Sequence, residues 1–205
     1  MIPFTTSGTA AHEKINGIIL AGGRSRRMGT DKGLLELRGK KMIELIIRTL
    51  EPVVSDILII SGNPAYLNLG YPVYSDIVSG CGPAGGIYTG LHQSAAEKNL
   101  VLSCDTPNIS SEFLRYLASQ SSDWEITVPV SRLHIECLCG LYTKRIAPEL
   151  YTCIRQGEHK MTSVIQRFRV NYLDLSSQKQ FNADQLFRNI NTPEDLEKEN
   201  KTHSS

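Results

Sequence analysis

Ile15-Asn16-Gly17-Ile18-Ile19-Leu20-Ala21, running directly into Gly22-Gly23, is the stretch on which the fold turns. A short, β-branched, apolar run that stops at two glycines has the composition of a strand buried on both faces of a parallel sheet, feeding a loop. Working outward, comparable runs at 56–61 and 99–103 end in Gly62-Asn63-Pro64 and Cys104-Asp105-Thr106-Pro107, both turn-forming sequences. A short strand is expected at 72–74, with the loop 76–83 after it. Helices are predicted over 41–50, 84–96, 110–119, 144–156 and 162–168, with further strands over 126–130, 136–142 and 170–175. A last helix opens with Thr192 as cap and Pro193 at its first helical position. This alternation predicts a single-domain, three-layer, Rossmann-like α/β fold with a mostly parallel sheet.

The chain has 205 residues, enough for one domain with a substantial core. Residues 15–200 are expected to form it, between a flexible leader at 1–14 and a loose tail at 201–205. A formal net charge of +1 provides no overall field for nucleic acid or an anionic membrane, so neither is expected as a partner. Affinity for phosphate has to come from a local site. No apolar run approaches the roughly 18 residues of a membrane span, and the first residues lack the basic start and apolar stretch of a secretory signal. The five cysteines are odd in number and contain no CxxC pair, which argues against a disulfide framework or a zinc site and for small buried hydrophobes in a reducing cytoplasm. Cys137 and Cys139 share a face if their stretch is a strand. The scattered His12, His92, His134, His159 and His203 read as structural or solvated.

In open α/β sheets ligands bind beyond the carboxyl ends of the strands, so the segments just after strands carry the chemistry. The first is Gly22-Gly23-Arg24-Ser25-Arg26-Arg27-Met28-Gly29-Thr30-Asp31-Lys32, with four cations in nine residues. Glycines let backbone N–H groups approach phosphate oxygens, and Lys32 brings a compact ammonium on a long stem. The loop is neither a Walker A motif, which needs Gly-Lys-Ser/Thr, nor the G-x-G-x-x-G dinucleotide fingerprint. Asp105 follows the third buried strand, where its carboxylate either holds Mg²⁺ or caps the turn before Pro107. Asn63 either contacts a nucleoside or forms a turn. The glycines of Gly82-Pro83-Ala84-Gly85-Gly86, after Asp76, either admit a ligand to the backbone or permit tight helix–strand packing.

Taken in order, Leu-Ala-Gly-Gly with Arg-Met-Gly and Asp-Lys, the Asp76 loop, Gly-Pro-Ala-Gly-Gly, Cys-Asp-Thr-Pro and Asn191-Thr192-Pro193-Glu194-Asp195-Leu196 resemble the motifs of molybdenum cofactor guanylyltransferases over residues 17–196. The second glycine of the opening motif, where molybdopterin cytidylyltransferases tend to have Ala-Ala-Gly, favours guanine. The resemblance implies a nucleotidyltransferase fold and transfer of GMP from GTP to the terminal phosphate of molybdopterin, with Mg²⁺ as cofactor and pyrophosphate released. It implies nucleotide binding at Leu20, Ala21, Gly22, Gly23, Lys32, Asn63, Asp76 and Asp105, with Asp105 also the metal ligand. It implies pterin binding at Asn189 and Asn191, catalytic parts for Lys32, Asp105 and Arg27, and transient contact with cofactor-biosynthesis or acceptor proteins. It carries no role onto His134. The rival expectations are a CTP- or sugar-phosphate-specific relative and a non-catalytic GTP sensor. An acceptor phosphate already ionised near neutral pH needs no general base, in keeping with the lack of an obvious Ser–His pair.

Overall fold

A computed structural model describes residues 14–22, 31–120, 122–131, 134–178 and 180–202. β1 (Ile15–Leu20) is the expected buried strand. A 3-10 turn (Lys32–Leu34) leads into a small hairpin of β2 (Glu36–Leu37) and β3 (Lys40–Lys41), and then into α1 (Met42–Leu50). β4 (Ile57–Ile60) is followed by a second 3-10 turn (Pro64–Leu69), where the sequence indicates only the turn at 62–64, and by β5 (Val73–Tyr74). Next come α2 (Gly82–Gln93), β6 (Lys98–Ser103), α3 (Ser111–Ser119), β7 (Ile126–Ser131), β8 (His134–Ile135) and β9 (Cys139–Thr143). The chain ends with α4 (Ala147–Arg155), α5 (Met161–Val164), β10 (Val170–Asp174), α6 (Ala183–Leu186) and α7 (Pro193–Thr202).

The main sheet runs β10-β7-β9-β6-β1-β4-β5, with β8 paired to β7. β1, β4, β5 and β6 are mutually parallel, and β10 is parallel to β7. β9 runs antiparallel to both β6 and β7, so the sheet is mixed but mostly parallel, as expected. A strand at 139–143 leaves only a tight turn after β8, too short for a crossover helix, and an antiparallel return is the one geometry available. Because β9 starts at Cys139, the condition for Cys137 and Cys139 to share a face is not met. Cys137 lies in the preceding turn and packs on the opposite side of the sheet from Cys139. All five cysteines are buried and unpaired.

Alternation along the strands builds the three layers. Ile19 and Ala21 of the first strand segment, with Leu100 and Leu102 of β6, face α1 and α3. Ile18 and Leu20, with Val101, face α2, α4 and α5. In β-strands successive side chains point to opposite faces, so a run apolar at every position fills two cores at once. α2 stops at Gln93, short of the expected 96. Ser94 takes an extended conformation, and its hydroxyl accepts from the Asn16 side chain and the Ala96 N–H. The helix expected over 162–168 divides into α5 and a 3-10 turn (Ile165–Arg167). α7 reaches Thr202, past the boundary expected at 200.

From β1 the chain moves to β4 and β5 on one side, then crosses back through α2 to β6 on the other. The loops after β1 and β6 therefore leave in divergent directions, which opens a crevice at their carboxyl ends.

Candidate active site

At that crevice the end of β1 is bracketed by its neighbours. The Ala21 N–H donates to the Ile60 carbonyl at 3.0 Å, and the Cys104 N–H donates to the Leu20 carbonyl at 3.2 Å. Leu20 and Ala21 are buried while Gly22 is exposed, so the loop emerges with its backbone open at Gly22. Gly23 and Arg27, with Arg24 and Arg26, lie outside the described residues.

Lys32 returns to the crevice. Its Nζ donates to Asn191 Oδ1 at 2.5 Å and lies 3.8 Å from Asp105 Oδ2, with both charged side chains about a quarter exposed. A cation, a carboxylate and an amide carbonyl from three distant segments thus meet at the β1–β6 switch point. Asp105 is held by its backbone as well: its carbonyl accepts from the Ile190 N–H at 2.9 Å. Ile190 is buried with Leu37 and Met42 in a satellite core, so the flanking Asn189 and Asn191 are carried on an anchored residue. Asn191 turns to Lys32, and Asn189 lines a cleft with Asp105.

That cleft has a volume of about 380 Å³. Glu136, His159, Lys160 and Thr162 also line it, residues to which the sequence motifs assign no site role. Glu136 is half-buried. Desolvation raises its carboxyl above the usual value, His134 opposes the rise, and the nearby Asp105 charge adds to it. His159 remains partly structural, with Nε2 3.3 Å from the Ile154 carbonyl. Behind the site, burial pushes the Cys104 thiol up to about 12, with the Asp105 and Asp31 charges contributing and Lys32 opposing. A thiol held protonated in this way is no nucleophile.

The other expected residues lie towards β5. Asn63 follows β4, and both ends of its amide are engaged: Oδ1 accepts from the Ala65 N–H, and Nδ2 donates to Asp31 Oδ2, each at 3.0 Å. Asp76 follows β5 and is exposed, yet partial desolvation raises its carboxyl. Three strand spacings, about 14 Å at ~4.8 Å each, separate the β5 end from the β6 end, a span that a nucleoside triphosphate laid across the strand ends can bridge.

The glycines after Asp76 are packing glycines in part. A Cβ on Gly85 would lie 2.8 Å from the Val78 carbonyl oxygen, and one on Gly86 would lie 3.1 Å from a Leu20 methyl. Gly86 also brings α2 beside the Asp76 carboxylate, 3.7 Å from the same notional Cβ.

The donors around Asp105 suit a hard cation. Asp105 and Glu136 face one cleft and offer carboxylate oxygens, while among the described residues no three His, Cys, Asp or Glu side chains gather as a closed cage would require. One or two carboxylates beside room for phosphate and water is the donor set that Mg²⁺ takes.

Residues 17–172 match the model of the MobA-like NTP transferase domain. The chain is 34% identical over 181 residues to the "Probable molybdenum cofactor guanylyltransferase" of Carboxydothermus hydrogenoformans, covering 88% of this chain and 92% of that protein. It is 33% identical to the molybdenum cofactor guanylyltransferase of Vibrio parahaemolyticus, covering 87% and 91%. Among solved structures, molybdopterin-guanine dinucleotide biosynthesis protein A from Archaeoglobus fulgidus superposes with a TM-score of 0.79 at 25% identity, covering 92% of this chain and 98% of that one.

Proposed function

The chain belongs to the MobA-like NTP transferase family, among its molybdenum cofactor guanylyltransferases, and we propose that it transfers GMP from GTP to the terminal phosphate of molybdopterin. The observation that carries the reading is the meeting of Lys32, Asp105 and Asn191 at the β1–β6 switch point. The reaction forms one bond, from an acceptor phosphate oxygen to the α-phosphorus of GTP. It breaks the bond from that phosphorus to the bridging oxygen, whose electron pair leaves with pyrophosphate.

Lys32 binds the triphosphate oxygens. Its ammonium is already directed by Asn191 and Asp105, so little side-chain freedom is lost when the anion arrives. Leu20 and Ala21, bonded to the neighbouring strands, hold Gly22 with its backbone open to the same oxygens, and Asp76 orients the nucleoside through its ribose hydroxyls or guanine N–H groups. Asn189 and Asn191 hold the acceptor. Lys160, an exposed cation on the cleft wall, attracts its phosphate. Asp105, with Glu136 opposite, would hold Mg²⁺, which when bound would neutralise phosphate oxygens and the charge gathering on the leaving group. No residue needs to remove a proton, because the acceptor phosphate is ionised.

Among the described residues no helix is long and apolar enough to cross a membrane. Five unpaired buried cysteines support a reducing compartment, the cytoplasm. A labile pterin substrate calls for transient handover from the proteins that make it and to those that accept its product.

The test is calorimetric titration of GTP, CTP and ATP with and without Mg²⁺, followed by pyrophosphate release with molybdopterin as acceptor. Preferential GTP binding with acceptor-dependent pyrophosphate release is expected. Preference for CTP, or GTP binding without turnover, would overturn the reading.

A further inference from the structure

Asn191 and Asp105 contact the tip of Lys32, but its backbone position is decided one residue earlier. Asp31 caps the 3-10 turn that contains Lys32. Its Oδ1 accepts from the Gly33 N–H at 3.1 Å and from the Tyr66 hydroxyl, while its Oδ2 accepts from Asn63 Nδ2 at 3.0 Å. Tyr66 is completely buried in the turn that Asn63 caps. Gly33 completes the fit: a Cβ there would lie 2.5 Å from the Tyr66 hydroxyl oxygen and 3.5 Å from Cys104 Sγ. The segment carrying Lys32 is thus wedged between the loop after β4 and the end of β6.

Packing alone would accept phenylalanine at position 66. The hydroxyl adds a directed bond to a carboxylate in a desolvated place, where such a bond is strong and costly to leave unmade. We propose that Tyr66, acting through Asp31, is a positioning residue that aims Lys32 at the triphosphate. On this account Asn63 serves the site by holding the second Asp31 oxygen. The inference rests on the triphosphate site proposed above. Without the hydroxyl, Asp31 retains only Gly33 on that oxygen, and the Lys32 ammonium loses its fixed starting point. Displacements on the scale of 1 Å at such groups are felt in binding and turnover.

The test is a double-mutant cycle. Wild type, Tyr66→Phe, Lys32→Ala and the double variant are titrated with GTP, CTP and ATP. Tyr66→Phe is expected to weaken whichever triphosphate binds by about fivefold to tenfold, and the double variant to bind no more weakly than Lys32→Ala alone. Unchanged affinity in Tyr66→Phe, or losses that multiply in the double variant, would overturn the proposal. Preference for CTP would overturn the guanylyl reading and leave the coupling of positions 66 and 32 standing, so the two failures are distinct. An arm without nucleotide uses ¹³C-methylated lysines in NMR. The Lys32 signal, identified by its loss in Lys32→Ala, is expected to move in Tyr66→Phe, and a stationary signal would count against the proposal. Should Tyr66→Phe not fold, Asn63→Ser keeps a turn-capping oxygen, removes the donor to Asp31, and is expected to couple to Lys32 in the same way.

Discussion

The backbone N–H of Ile190 donates to the carbonyl of Asp105 at 2.9 Å, joining the end of the chain to the loop after β6. Ile190 performs no chemistry. Its side chain is 1% exposed, buried against Leu37 and Met42, and from that anchorage Asn189 and Asn191 reach the cleft and Lys32. A hydrophobic residue thus sets the position of the polar residues on either side of it.

Asp105 stands at the centre of the proposed chemistry. Asp105→Asn keeps the shape and the backbone bond to Ile190 but removes the charge, and should lower pyrophosphate release by at least about a hundredfold. Steady-state turnover at saturating GTP and Mg²⁺ measures this. A rate near wild type would remove Asp105 from the reaction.

On the proposed reading Lys160 attracts the acceptor and not the nucleotide. Lys160→Ala should raise KM for molybdopterin by about tenfold, the scale of one charge-assisted contact, with GTP affinity little changed. An effect confined to GTP would assign the cleft wall to the wrong substrate.

Gly33→Ala forces a methyl group towards the hydroxyl of Tyr66, which is fully buried and bonded to Asp31. Overpacking of this kind costs about 1–3 kcal/mol. Denaturant unfolding should register the loss, and triphosphate binding should weaken with it as the Lys32 turn shifts.

Glu199 fastens α7 to the β2–β3 hairpin turn and to the loop after β6. Its nearly buried carboxylate pairs with Arg38 at 2.8 Å and Arg188 at 3.5 Å and accepts from Asn108 at 2.9 Å. Glu199→Gln should destabilise by about 2 kcal/mol at neutral pH, moderated because both arginines can regain water. Desolvation alone would raise this carboxyl, but the Asn108 bond and the Arg38 charge outweigh it and hold it below its ordinary value. A depressed folded pKa gives stability that is complete above the unfolded value, about 4.3, and lost as pH falls through the folded one. The gap between wild type and Glu199→Gln should therefore be widest near neutrality and close on acidification. Unfolding midpoints between pH 7 and 3.5 check it, and a gap that widens in acid would contradict the assignment.

The positions of Gly22 after β1, Asp105 after β6 and Thr192 before α7 were legible because each sits where local chemistry announces an element's boundary. Thr192 and Asp195 bear this out, exchanging hydrogen bonds at the start of α7, where Asp195 accepts from the Thr192 N–H at 3.0 Å and Thr192 Oγ1 accepts from the Asp195 N–H at 3.2 Å. Glu136 and Lys160 had no such signal. Glu136 reaches the cleft from the turn before β9 and Lys160 from the start of α5, and nothing adjacent to either residue marks it.

By itself, then, the sequence determined the buried strands, the layers they imply and the order of the motifs after them, because composition and period act over a few neighbouring residues. Tertiary structure alone decided that Gly86 packs against Leu20, that the Asn63 amide donates to Asp31, and that Lys32 meets Asn191. Those outcomes depend on distances between segments far apart in the chain. Such distances are set when the sheet closes its two cores and the crossover at β1 brings separate loops to one edge.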